Sequence, residues 1–306
     1  MGVFRWSKDK KNAKKVVQKS AQKAVRDAVQ KSSGETKRKR ERRCTLLVEE
    51  VYESSRMDGV VVRGFMHGRV KQGDTMYLYH PEKPIKAVHI TEIETGPRQM
   101  AETARNQLVD LCLDLQSVED VGRYAVLTSV RPVPRELADR LIENPRLFGL
   151  MMEYGRLYSN SVYMDALLYE LCYAKFVLPF YMEKPPVPQP DGTLAFEEDT
   201  FVGFRSIKMG GPEGMTVFPA FTDEIAIAAW KDAYKEGQPR QVGTMQLPHL
   251  LENVRKGSAG LVINPFGPVP VFFPKELLDQ VEKSDVFISR YLRPAAPRQE
   301  ENSTEA

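Results

Sequence analysis

Residues 59–74 read GVVVRGFMHGRVKQGD, and no other stretch restricts the fold as tightly. Val60, Val62 and Gly64 alternate with Val61, Arg63 and Phe65, a period of two that argues for extended chain. Gly64, Gly68 and Gly73 cut into this β-branched run at close spacing. Glycine inside a strand marks a bulge or a sharp bend, so two short strands with hard corners are expected, and the Gly73-Asp74 turn restarts a strand at Thr75.

The alternation extends over residues 44–132 as roughly six strands separated by Gly, Pro and Asp turn signals. Tyr52 precedes a turn, SSRMDG, that ends at Gly59. Val109, Leu111, Leu113 and Leu115 share one face of a strand, while Asp110 and Asp114 share the other. Short strands at this spacing close most naturally into a small antiparallel barrel.

The run GRVKQGD, following G-x-V-x-x-G, resembles the second domain of translational GTPases of the elongation factor Tu type, over residues 45–129. The resemblance implies a β-barrel. ETARNQLVDLCL stands where such barrels usually carry a glycine-bearing turn, and GRYAVL matches the closing strand only loosely. The family's GTP-binding domain has no counterpart, so neither its nucleotide nor its RNA partners carry over. A docking or spacer module is the expected use, and no nucleotide is expected to bind.

From Pro134 the pattern is helical, through ELADRLIENP and then residues 147–175, with Leu167, Leu168, Leu171 and Cys172 on one side. A sheet is expected from Phe176: FVLPFYM, FVGFRSI and MTVFPAF are apolar runs of strand length. Between the first two, EKPPVPQPDGT is expected as a loop without regular structure, because four prolines remove donors and Asp191-Gly192 marks a turn. Thr222 and Asp223 suit the cap of a helix DEIAIAAWKDAYKEG that holds Trp230 and ends at Gly237. A strand at TMQLP, a helix at HLLENVRKG, a strand at GLVINPF and a helix at PKELLDQVEK follow. This order argues for an α/β mixed-sheet domain over residues 133–293, ahead of a disordered tail at 294–306.

FVLPFY, FRSI, TVFPAFTDEIAIAAW and GLVINPFGP, in this order, resemble the N-terminal domain of the bacterial enhanced-serine-sensitivity (SseB) family, over residues 144–281. The resemblance implies an α/β domain in a bacterial cytoplasm and transfers no catalytic residues. Read physically, Arg205, Asp223 and Asn264 are candidates to line a polar ligand pocket at strand ends, where α/β sheets tend to bind ligands. The same residues also suffice as caps and turns, with Trp230 as an apolar anchor.

Charge divides the chain. Of its 44 Lys and Arg, 16 fall in residues 1–43 against 4 of its 41 Asp and Glu, leaving 28 against 37 in the rest. The net charge of +3 therefore hides a basic arm on an acidic body. Ala13, Val17, Ala21, Ala24 and Ala28 give residues 10–31 a narrow helical stripe that buries little area, and SSGETKRKRERR follows as a solvated linker. Lys14, Lys15, Lys19, Lys23, Lys37, Arg38, Lys39 and Arg40 are candidate polyanion contacts. Phe4 and Trp6 are candidate membrane anchors. The arm is read as binding an anionic membrane surface or RNA, or else as a solvated tail that keeps the protein soluble or folds back on the body.

No phosphate-binding loop, dinucleotide fingerprint, HExxH or GxSxG occurs, and no cofactor or metal is expected. His67, His80, His89 and His249 are scattered; only His80 and His89 could face each other across a hairpin. Cys44, Cys112 and Cys172 are too widely spaced for a metal knuckle and read as buried, reduced thiols. No run is long and apolar enough to span a membrane. The expectation is a multidomain, bacterial, non-enzymatic binding or regulatory protein with an unidentified protein partner. It would be cytoplasmic, or peripheral at the inner face of the membrane. The alternative is an enzyme or ligand sensor in amino-acid or sulfur metabolism that uses the polar pocket of the α/β domain.

Overall fold

In the first half of the chain, seven strands form: β1 (Thr45–Leu47), β2 (Glu50–Glu53), β3 (Val60–Lys71), β4 (Thr75–Tyr79), β5 (Lys86–Glu94), β6 (Thr103–Leu113) and β7 (Val126–Thr128). The computed structural model describes residues 44–57, 59–134, 142–182, 187–188, 194–195, 202–209, 214–230, 242–267 and 269–293. The readings for residues 1–43, for 135–141, for the helix beyond Trp230 and for the tail from 294 lie outside these.

Six of the strands close into an antiparallel barrel in the order β1-β7-β4-β5-β6-β3, with β1 returning to β3, and the seventh, β2, follows β1 along the same edge of β3. Closure leaves no unpaired ladder among the six. The two strands expected across residues 60–71 are one continuous strand, interrupted by a bulge between Met66 and Arg69. Gly68 supplies the positive φ of 92° there, and its amide donates to Asn106 Oδ1 at 2.8 Å. A bulge therefore accomplishes the bend that the glycine spacing anticipated. At Gly64 the β1 strand crosses so closely that a Cβ would collide with the Leu47 carbonyl.

Period-two geometry sorts the side chains. Val109, Leu111, Leu113 and Leu115 point into the barrel, whereas Cys112 lies on the outer face, covered by Met57, Val61 and Tyr52. On the neighbouring strands β1, β7 and β4, Leu46, Leu127 and Leu78 face inward. The alternate residues Leu47, Val126 and Tyr79 face outward and are buried as well.

That outward face receives the second half. Three helices, α1 (Pro145–Met152), α2 (Tyr154–Leu157) and α3 (Ser161–Tyr173), lead into β8 (Lys175–Met182). Then come β9 (Val187–Pro188), β10 (Leu194–Ala195), β11 (Val202–Phe204), β12 (Ile207–Met209), β13 (Met215–Ala220) and α4 (Glu224–Ala228). Next are β14 (Val242–Gln246), α5 (Leu247–Arg255), β15 (Gly260–Ile263), β16 (Val271–Pro274), α6 (Lys275–Glu282) and α7 (Asp285–Phe287). One sheet runs β11-β8-β14 and another β12-β13-β15-β16, joined by a bridge between Val177 and Phe221. β13 and β15 are parallel and the other ladders antiparallel, so the region is a mixed-sheet α/β layer beside the barrel.

Four local expectations are corrected. FVGFRSI is two strands in two different sheets, split at Arg205-Ser206, because the chain changes sheets there. Within the proline-rich segment Val187–Pro188 forms the short strand β9, paired antiparallel with β10 just after that segment. β16, hidden among prolines, has no counterpart in the sequence reading. Trp230 lies just past the end of α4 rather than within that helix.

Helix α1 sits against β1 and β7. Gly149 permits this, for a Cβ there would lie 2.6 Å from Val126 Cγ2. Leu47, Tyr79, Tyr124 and Val126 of the barrel thus belong to the same buried cluster as Leu147, Leu150, Met151 and Tyr163. Each fully buried aliphatic side chain in this seam contributes on the order of 1.5–3 kcal/mol relative to exposure.

Candidate functional site

The ends of the parallel pair β13 and β15 bring Thr222, Asp223 and Asn264 together. Asp223 Oδ1 accepts from the Ala226 amide at 2.8 Å, capping α4, and its Oδ2 lies 3.3 Å from the Thr222 hydroxyl. Asn264 adopts a φ of 53°, a left-handed conformation that asparagine tolerates better than most residues. Its Oδ1 accepts from the Thr222 amide at 2.9 Å, and its amide group donates to the Thr222 hydroxyl at 3.0 Å. Asn144, at the start of α1, donates to the carbonyls of Thr222 and Lys175 at 2.7 and 2.8 Å. The network therefore ties α1, β8 and both strand ends together.

Asp223 and Asn264 thus meet through Thr222. Arg205, half-buried, lies in the connection before β12, and the antiparallel register of Ile207 with Val217 carries it toward this same end of the sheet. Partial burial and the charge of Asp223 push the Glu224 carboxyl up. Trp230 stacks between Phe221 at 6.0 Å and Phe266 at 5.2 Å, and the Phe266 ring remains 47% exposed.

A second polar cluster, unmarked in the sequence, lies where the two halves meet. Glu153 is buried between α1 and α2 and lies 2.5 Å from His67 Nε2, on the bulge of β3. Arg156 donates to Glu153 at 2.8 Å and forks onto both oxygens of Glu49 at 2.9 and 2.7 Å. Burial raises the Glu153 carboxyl, but the hydrogen bonds from His67 and Arg156 outweigh it and leave it below the ordinary carboxylate range. Four residues 107 or fewer positions apart form this clasp. Nothing in their local pattern announces it, since only closure of the barrel brings His67 and Glu49 beside α2.

The other chemistry-bearing residues are accounted for by packing. Cys44, Cys112 and Cys172 are buried free thiols. Burial pushes Cys44 up and Cys172 up to about 11, the reverse of an activated nucleophile. His80 and His89 do not face each other: Thr75 stands opposite His89, which pairs with Asp114 at 2.7 Å. His80 Nδ1 accepts from the amides of Glu82 and Lys83. Among the described residues no His, Cys, Asp and Glu gather in a group able to hold a metal, and no helix is long and apolar enough to cross a membrane.

Two cavities are lined without Arg205, Asp223 or Asn264. One, of about 290 Å³, lies between the barrel residues Tyr79 and Ile85 and the start of α1. The other, of about 370 Å³, opens between the two sheets and the last turn of α5. Its wall residues, Tyr181, Ser206, Thr216 and Lys256 among them, come from separate elements. No spacing in the chain could have grouped them.

Residues 156–280 match the family described as the SseB protein N-terminal domain. Among solved structures the chain is similar to translation elongation factor SelB from Methanococcus maripaludis, at 12% identity with a TM-score of 0.27, covering 58% of this chain and 32% of that one. It is also similar to GDP-bound aIF5B from Aeropyrum pernix, at 16% identity with a TM-score of 0.25, covering 29% of this chain and 17% of that one. The chain thus spans a third or less of the length of these two proteins. No curated protein matches it.

Proposed function

We propose, taking the SseB N-terminal domain at residues 156–280 as the premise, that this chain is a non-enzymatic binding or regulatory protein of bacterial type. Its barrel and mixed-sheet region act as one body, and its basic arm recruits that body to an anionic membrane surface. One observation carries the reading of a single body: Leu47, Tyr79, Tyr124 and Val126 of the barrel lie in the core of the mixed-sheet region. A seam this apolar, reinforced by the Arg156 fork, resists the hinge motion expected of two tethered domains. The recruiting role rests on charge, since residues 1–43 hold 16 Lys and Arg against 4 Asp and Glu. Phe4 and Trp6 supply the apolar insertion that a vesicle surface would reward and RNA would not.

The test is retention of the full chain on phosphatidylglycerol vesicles and on RNA, each over a salt series. Salt-sensitive vesicle binding that weakens when residues 2–6 are deleted is the expected result. Binding to RNA alone, weakened by alanine at Lys37, Arg38, Lys39 and Arg40 but not by that deletion, would replace the membrane with nucleic acid. Retention on neither surface removes the recruiting role. In the same protein, micromolar GTP binding by calorimetry would reverse the expectation that no nucleotide binds.

A further inference from the structure

The cavity of about 370 Å³ has the size of a small-molecule site, and both aromatic and polar residues line it. Phe204 of β11 and Phe218 of β13 meet edge to face at 6.0 Å, and the Tyr181 ring lies so close over Gly203 that a Cβ there would run into it. The polar lining of the cavity comes from Thr216 of β13 and from the turn after α5, where Lys256, Gly257 and Ser258 follow one another.

Ser258 is only 4% exposed and lines the cavity beside Lys256. Among the described residues the Lys256 ammonium makes no ion pair, although the adjacent Arg255 is paired with Glu282. Among the described residues no carboxylate lines the cavity, so its single formal charge is positive. Gly257, at a φ of 139°, keeps the turn free of a side chain between the two polar groups.

We infer that this cavity is a binding site for a small organic carboxylate with a flat or branched apolar body. The carboxylate would be held by Lys256 and the Ser258 hydroxyl, and the body would lie against Phe204, Phe218 and Tyr181. Lysine suits this role as a point charge on a flexible stem. The volume excludes a dinucleotide and admits a ligand on the order of ten non-hydrogen atoms. The inference is independent of the arm and of the surface it binds.

Benzoate is the charged probe and benzyl alcohol its neutral counterpart, titrated into the full isotope-labelled chain and followed by amide NMR. Benzoate in the millimolar range is expected to give saturable shifts at Thr216, Lys256, Gly257 and Ser258. Lys256→Gln is expected to weaken benzoate at least fivefold and to leave benzyl alcohol unchanged, while amides elsewhere keep their positions and so report an intact fold. Ser258→Ala, the smaller change, is expected to weaken benzoate two- to threefold. The inference fails if benzoate produces no saturable shift at these amides. It fails equally if Lys256→Gln binds benzoate as well as the parent chain does.

Discussion

The barrel and the mixed-sheet region solve the burial of apolar surface in different ways. The barrel has an interior of its own, filled by residues such as Leu46, Leu78, Leu111 and Leu127, and its six strands share every ladder. The mixed-sheet region has two sheets joined by one bridge, and its core is completed by Leu47, Tyr79, Tyr124 and Val126 from outside. The two cores are nonetheless coupled, because the helices α1 and α3 pack on a floor that the barrel provides and in turn bury its outward-facing Leu47, Tyr79 and Val126. Adjacent residues of one strand, Leu46 and Leu47, serve the two cores separately because successive side chains point to opposite faces.

The sharpest way to break this comparison is Leu150→Ala, in the middle of the shared seam. It should destabilise the chain by about 2–5 kcal/mol, and urea unfolding should remain a single transition when followed both by far-ultraviolet dichroism and by hydrogen exchange of β3 and β6. A barrel that stays protected after the mixed-sheet region has melted would show that its own interior suffices without the seam.

Gly149→Ala tests the closeness of approach rather than the volume of the core. Alanine favours a helix over glycine by about 1 kcal/mol, yet its methyl group would press on Val126, and overpacking of this kind costs about 1–3 kcal/mol. A net loss of thermal stability is expected. A gain would mean that α1 can retreat from the barrel without cost.

Glu153→Gln probes the polar clasp and should cost about 1–2 kcal/mol at neutral pH. Because the Glu153 carboxyl lies below its ordinary value of 4.5, its contribution is complete above that value and is lost as pH falls through the lowered one. Parent and variant stabilities, measured by denaturant unfolding at several pH values, should converge on the acid side. Parallel curves down to low pH would remove Glu153 from the account of the seam.

The smallest effect is expected at Cys172, on the inner side of α3. With its thiol pushed up to about 11, iodoacetamide at mildly alkaline pH should leave it unmodified in the folded chain and label it after unfolding. Rapid labelling of the native protein would place an opening in the shared core that the packing does not show.

Some of this was legible along the chain, because it depends on neighbours in sequence. Alternation at Val109, Leu111, Leu113 and Leu115 fixed which side of β6 faces inward, and Thr222-Asp223 ahead of an apolar run marked the cap of α4, which Asp223 indeed provides. Glycine spacing in residues 59–74 signalled a bend, although the signal fits two strands or one bulged strand equally well, and only pairing with β6 selects the bulge. The split of FVGFRSI between two sheets was not legible, since each half has the composition of a strand and the partners lie elsewhere.

What the sequence determined by itself is the set of local preferences: periods of burial, turn chemistry, and an excess of basic residues over the first 43 positions against an acidic remainder. The tertiary structure decided the rest. Whether Leu47 and Val126 are surface or core, whether His67 meets Glu153, and whether Lys256 and Ser258 share a cavity with Phe204 all depend on elements far apart in the chain. The physical reason is that burial and hydrogen bonding are properties of juxtaposed surfaces, and an outward-facing apolar residue on a strand carries no mark of what will cover it.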